Sequence, residues 1–317
     1  MQIQMTCPAP ARSLYGNRIT ALRWRRILRA LGHDLTIDQN YNGVPGDLLI
    51  ALHARRSADA IFRFRQCHPE KPIIVALTGT DVYRDIRRSR KAQRVLEIAT
   101  RLVVLQPLAL RELPAHLIHK GRVIYQSARK TRAPVSRNER TFDVCVVGHL
   151  RKVKDPFRAA YASRKLPASS QTRVLHIGLA REAKMAQKAR LQQIRNPRYQ
   201  WLGGMPHWRV RRRIAASRLM VLSSRMEGGA NVISEALVDK VPVLASRIAG
   251  SVGLLGEDYA GYFPVGDSEA LTRLLLRAEQ DRSFYAELKS WCSRLSRLFQ
   301  PSREQAAWRN LLREVVR

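Results

Sequence analysis

Short apolar runs alternate with amphipathic stretches almost from end to end of this chain, and that alternation is what most limits its fold. QIQMT at 2–6 reads as a strand, and residues 20–32 read as a helix with Leu22, Ile27, Leu28 and Leu31 on one face. LLIAL at 48–52 is a strand, Ser57 can cap the helix that runs to Cys67, and further strands fall at 72–77 and 102–105. This βαβα order implies a parallel sheet covered by helices on both faces. The stretch 127–140 is polar and basic, contains Pro134, lacks apolar periodicity and reads as a linker. The pattern then restarts, with strands at 143–147, 174–177, 219–222 and 241–245, and closes with a helix over 301–316 opened by Pro301 and Ser302. Two α/β halves suit the length, since one core seldom grows past about 250–300 residues and the chain has 317. Each half is expected to be Rossmann-like, over 1–130 and 140–300. The two would face a cleft, with ligands beyond the carboxyl ends of the strands.

Composition narrows the class. Hydrophobic residues make up 45% of the chain, which argues for a packed globular protein. No apolar run approaches the ~20 residues that span a bilayer. The opening MQIQMTCPAP has neither the basic nor the apolar region of a signal peptide, so a cytoplasmic protein with no membrane partner is expected. The four cysteines, at 7, 67, 145 and 292, form no CxxC pair, so no zinc site or disulfide framework is indicated. The formal charge of +32 is shared by both halves. It attracts anions, either nucleic acid or small phosphorylated substrates. No helix-turn-helix, zinc-finger or RNP-type motif accompanies it, so a specific nucleic-acid partner is not expected, and a basic nucleic-acid binder is a secondary alternative.

The strongest chemical signal is SSRMEGGANVISEALVDKVPVLAS, in which two glycines join a strand to a helix beginning near Val232. Gly228 and Gly229 let backbone N–H groups approach an anion, and the helix N-terminus over Ala230, Asn231 and Val232 favours negative charge. Glu227 and Glu235 cannot bind phosphate themselves but suit sugar and ribose hydroxyls on either side of a diphosphate. The loop VGHLRKVKDP follows the strand 143–147. Gly148 permits its tight turn, while Arg151 and Lys154 suit a leaving diphosphate, whose developing charge they would stabilise. Spacing alone leaves these two equally open to being surface residues of a basic chain.

Three loops of the first half are polar. After the first strand, the chain turns at Gly16, and Asn17, Arg18 and Thr20 lie where a helix starts and could cradle a small anion. ALHARRS places His53, Arg55 and Arg56 at a strand end, and LTGTD does the same for Thr78, Gly79, Thr80 and Asp81. Asp81 is equally open to capping the following turn. Such loops suit an inorganic oxyanion better than a lipid or a long apolar acceptor.

The Gly-x-x-Arg-x-x-Lys loop, followed about eighty residues later by E-x7-E, resembles the retaining glycosyltransferases of family four, which have the GT-B fold. The resemblance implies Arg151 and Lys154 on the diphosphate, Glu227 on the donor sugar, Glu235 on the ribose, and Gly203, Gly204 and Met205 of the 203–206 loop near the nucleobase. It also implies a catalytic contact from His53, and a C-terminal helix (301–317) that crosses back to the N-terminal domain. The strings GNR-x-TALRW, ALHARRS, LTGTD, RLVVLQP and VIYQSA look like the selenosugar synthases of selenoneine biosynthesis. That likeness implies transfer of N-acetylglucosamine from UDP-N-acetylglucosamine to selenophosphate. It further implies links to an enzyme that makes selenophosphate and one that uses the selenosugar. An ordinary GT-B enzyme with an organic hydroxyl acceptor is the competing expectation. There is no Asp-x-Asp motif, so no metal or other cofactor is expected.

Overall fold

The computed structural model describes residues 1–132 and 136–315. Pro134 of the predicted linker and Val316 of the last predicted helix lie outside them. The chain divides into two compact units. Unit 1 comprises Met1–Gln126, Glu227–Gly229 and Pro301–Arg317, and unit 2 comprises Ser127–Met226 and Ala230–Gln300.

Unit 1 is built on six parallel strands: β1 (Gln2–Thr6), β2 (Asp34–Asp38), β3 (Leu48–Leu52), β4 (Ile73–Leu77), β5 (Arg101–Val104) and β6 (Gly121–Val123). They lie in the order β2-β1-β3-β4-β5-β6. Strand alternation divides the core into two layers. Leu49 and Ala51 of β3 face a layer with Ile61 and Phe64 of the helix Ala58–Cys67. Leu48, Ile50 and Leu52 face the other, formed by the helix Gly16–Ala30 and the final helix Pro301–Val315. Trp24 and Trp308 of those helices meet edge to face at 4.8 Å. Trp24 Nε1 also donates to the buried Glu304 at 2.8 Å, and Arg23 Nε donates to the same oxygen.

Two details differ from the sequence reading. The first helix begins at Gly16, four residues earlier than expected. Its buried face is Ala21, Trp24, Ile27 and Leu28, while Leu22 is only half-buried. Ser57 does not cap its helix with its side chain, because its buried hydroxyl donates to the last carbonyl of β3, Leu52 O, at 2.7 Å.

Unit 2 repeats the plan. Its parallel strands are β7 (Phe142–Val147), β8 (Thr172–Ile177), β9 (Tyr199–Trp201), β10 (Leu219–Leu222), β11 (Val243–Ser246) and β12 (Tyr262–Phe263), in the order β12-β11-β10-β7-β8-β9. The chain order reverses between β7 and β10 here, and between β1 and β3 in unit 1. Open α/β sheets bind ligands beyond the strand ends at such reversals. The polar loops singled out in the sequence follow these strands and their neighbour β4.

Candidate functional site

In unit 2 the loop after β7 is held by its neighbours on both sides. Gly148 N–H donates to Ile177 O at 2.9 Å, and Leu150 N–H donates to Leu179 O at the same distance. Lys152–Lys154 form one tight turn, after which Asp155 takes a left-handed conformation at φ 42°. From β10, Ser223 Oγ sits 3.2 Å from Lys154 O and 2.9 Å from Asp155 O, and Arg225 N–H donates to Val153 O. Gly148, Lys154, His176 and Ser223 line a small recess here. The reversal point of this sheet therefore carries both Lys154 and the turn that sets Arg151.

The loops after β8 and β9 pack closely beneath it. A Cβ at Gly178 would lie 1.9 Å from Gly148 O, so only glycine fits. Gly178 N–H donates to Gly203 O, and Gly203 holds φ 68°, a region that side chains rarely adopt. Gly204 lies against Leu179, and Met205 is half-buried. Immediately after this loop, His207 Nε2 reaches Oε1 of the buried Glu235 at 2.7 Å. A residue beside the 203–206 loop thus grips a carboxylate on the helix Asn231–Val238, whose first turn holds Asn231 and Val232 and whose cap is Ala230. Glu227, Gly228 and Gly229 instead group with unit 1, so the two glutamates of the E-x7-E spacing belong to different units.

In unit 1, His53 follows β3 at φ 75°, buried and strained. Arg56 N–H points to His53 Nδ1 at 3.5 Å, which leaves the proton on Nε2, 3.4 Å from Thr80 Oγ1. Each ring nitrogen lies 3.8 Å from a carboxylate, Asp81 on one side and Asp85 on the other. Burial depresses the imidazole pKa, and the pull of Asp81 does not reverse it. Asp81 is fully buried and accepts backbone N–H groups from Ala54, Thr78 and Gly79, so its carboxylate ties the β3 and β4 loops together. Asp85 receives Arg55 Nε at 3.0 Å and Arg84 Nε at 3.1 Å. Burial opposes its ionisation, but these two bonds outweigh it and hold the carboxyl below its ordinary range. Asp81 and Asp85 bracket a π-helical turn, a form that frequently marks functional sites. The side chain of Arg56 is exposed and makes no hydrogen bond or ion pair with a described residue.

Gly16, Asn17 and Arg18 occupy the first helical turn after β1. Thr20 Oγ1 accepts from Gln126 Nε2 at 2.7 Å, which turns that hydroxyl toward the core. Four buried polar atoms near the carboxyl edge of this sheet have no partner: Thr6 Oγ1, Ser13 Oγ, Arg18 Nε and Thr78 Oγ1. Buried polar atoms are rarely left so, and a polar ligand is what would satisfy them.

Residues 127–291 match the family model described as glycosyl transferases group 1. The chain belongs to that family. As a group 1 glycosyltransferase it shares its fold with solved enzymes at low identity. HepE from Anabaena, solved with UDP and glucose, is 15% identical over 99% of this chain and 100% of its own, with TM-score 0.77. Sucrose-phosphate synthase from Thermosynechococcus elongatus is 15% identical over 99% and 98%, with TM-score 0.80. The UDP-forming α,α-trehalose-phosphate synthase of Burkholderia xenovorans, solved with glucose-6-phosphate, is 11% identical over 96% and 79%, with TM-score 0.68. These likenesses show the fold: two Rossmann-like units of the GT-B class. No curated protein matches the sequence of this glycosyltransferase. Among its described residues, no helix is long and apolar enough to cross a membrane.

Sequence reasoning missed four residues that the geometry brings forward: Asp85, His176, Tyr199 and His207. Asp85 had a local signal, standing four residues after Asp81 on the same turn. His176 had one too, as the single ionisable group in the apolar run VLHI. Tyr199 and His207 had none, since their partners lie 23 and 28 residues away.

Proposed function

We propose that this glycosyltransferase moves N-acetylglucosamine from UDP-N-acetylglucosamine to selenophosphate, making the carbon–selenium bond of a selenosugar. Unit 2 would bind the donor, with Arg151 and Lys154 on the diphosphate, Glu235 on the ribose and the 203–206 loop beside the base. Unit 1 would bind the inorganic acceptor. The observation that carries the reading is the group of unpartnered buried polar atoms, Arg18 Nε among them, at a sheet edge that also bears the exposed cation Arg56. A small, hard anion would satisfy such groups, and a long apolar acceptor would not. The resemblance of the GNR-x-TALRW, ALHARRS and LTGTD strings, all in unit 1, supports the same choice.

In the reaction, selenium attacks the anomeric carbon as the carbon–oxygen bond to UDP breaks. The electron pair of that bond leaves on the diphosphate, where fixed cations stabilise it. Two anions must be brought together, so cations on both substrates offset their repulsion, and fixing both reactants supplies much of the rate. Water then cleaves the selenium–phosphorus bond, giving phosphate and the selenosugar. His53, neutral and held between Thr80 and the Asp81–Asp85 pair, would contact the sugar, as would Glu227. Selenium in selenophosphate is already a strong nucleophile, so no activating base is required, and no metal is needed.

The test is to incubate the purified protein with UDP-N-acetylglucosamine and selenophosphate and to follow UDP and a selenosugar by mass spectrometry. Neither product from a folded preparation would overturn the proposal. Turnover with hydroxyl acceptors and none with selenophosphate would assign an ordinary GT-B transferase instead.

A further inference from the structure

His176 interrupts the apolar run of β8 and is fully buried. Its Nε2 lies 3.0 Å from Gly148 O and its Nδ1 lies 2.8 Å from Tyr199 Oη. A carbonyl can only accept, so Nε2 carries the proton, Nδ1 accepts, and the Tyr199 hydroxyl donates. Burial pushes the imidazole pKa down to about 4, so the ring is neutral and holds a single proton. The order of donors is therefore forced, from Tyr199 through the ring to the Gly148 carbonyl. Filling space does not account for this ring, because an apolar side chain of similar size would fill the site without burying two polar nitrogens. What the imidazole adds is a hydrogen bond to one peptide group, the first of the loop that carries Arg151 and Lys154. A trans peptide is planar, so holding Gly148 C=O toward His176 aims the next N–H the opposite way. With no side chain at Gly178, the two backbones come close enough for that bond.

We infer that His176, oriented by Tyr199, is a positioning residue that sets the Gly148 peptide and so the whole loop 148–154 for the diphosphate of the donor. The inference rests on the reading of that loop as the diphosphate site. It extends the donor site two strands outward from β7, to the edge strand β9, through residues that need not touch the nucleotide.

The test compares UDP with UMP, which lacks the second phosphate, by titration calorimetry on the full chain and on the variants Tyr199→Phe and His176→Phe. Tyr199→Phe removes one hydroxyl and keeps the ring. The wild type is expected to bind UDP more tightly than UMP. Both variants are expected to lose about tenfold in UDP affinity, the scale of one hydrogen bond and the loop order that depends on it, while UMP affinity changes by less than about twofold. Equal losses for the two ligands would make His176 a general packing residue and overturn the inference. So would a folded Tyr199→Phe that keeps the wild-type preference for UDP, and this variant decides alone if His176→Phe does not fold. A wild type that binds UDP no better than UMP would instead refute the diphosphate reading of the loop, and the inference with it.

Discussion

The contact between Gly178 and Gly148 makes a sharp test of how the donor loop is set. In Gly178→Ala the new Cβ would stand 1.9 Å from Gly148 O and 2.5 Å from its carbonyl carbon, where ordinary contact begins at 3.4 Å. Both obstacles are backbone, so no side chain can swing aside. The two strands' loops must part by about 1.5 Å, the difference between those contact distances. That shift lengthens the Gly148 N–H bond to Ile177 O and the His176 bond to Gly148 O beyond hydrogen-bonding range. Overpacking of this kind costs about 1–3 kcal/mol of stability, equivalent to a fall in Tm of about 2–12 °C for a unit of this size. Misplacement of a binding group by about 1 Å costs on the order of 10²-fold in rate. Gly178→Ala should therefore melt earlier while its kcat/KM for the nucleotide sugar falls by about 10²-fold. Calorimetric Tm and steady-state kinetics measure the two effects. Wild-type kcat/KM in a folded Gly178→Ala protein would refute the idea that loop placement governs donor use.

Other outcomes are expected. Glu304→Ala removes a buried acceptor of Trp24 Nε1 and Arg23 Nε, and should cost about 3–5 kcal/mol by denaturant titration, with Glu304→Gln milder. Because the folded His176 has its pKa lowered to about 4, the unfolded chain takes up its proton first as pH falls. His176 thus weakens the fold progressively from about pH 6.5 down to about 4, by about 3 kcal/mol in all, and the stability difference between wild type and His176→Gln should follow that window. Glu235→Ala should raise KM for the nucleotide sugar more than it lowers kcat, and an unchanged KM would remove Glu235 from the ribose. Transfer activity should survive dialysis against EDTA, and activity restored only by added metal would overturn the metal-free reaction.

Inner strands such as LLIAL at β3 and IIVAL at β4 were legible because burial on both faces makes them continuous apolar runs, while the inner strand β1, QIQMT, is an alternation. The strands missed were β2, β6, β9 and β12, and each is an edge of its sheet. An edge strand is covered on fewer sides, so DLTID and GRV carry no continuous apolar run; DLTID does alternate, but only its Leu35 is buried. Candidate loops were legible for a related reason, since they follow strands that could be recognised. Their internal wiring was not. Asp81 was open to an anion-site role or to a turn role, and its carboxylate accepts three backbone N–H groups from two loops. Such a role depends on which loops adjoin, and that is set by strand order, to which a single sequence gives no direct access.

The final helix Pro301–Val315 places Trp308, Leu311 and Leu312 in the core of the unit that begins at Met1. On a ribosome, the part synthesised first is therefore completed last. Until the closing residues emerge, Trp24, Ile27 and Leu28 lack their cover, and the nascent amino-terminal unit exposes an apolar surface throughout synthesis of unit 2. Loss of a short carboxyl-terminal segment would accordingly injure the opposite end of the sequence, and a fragment ending near Gln126 would be an aggregation hazard instead of a free-standing domain.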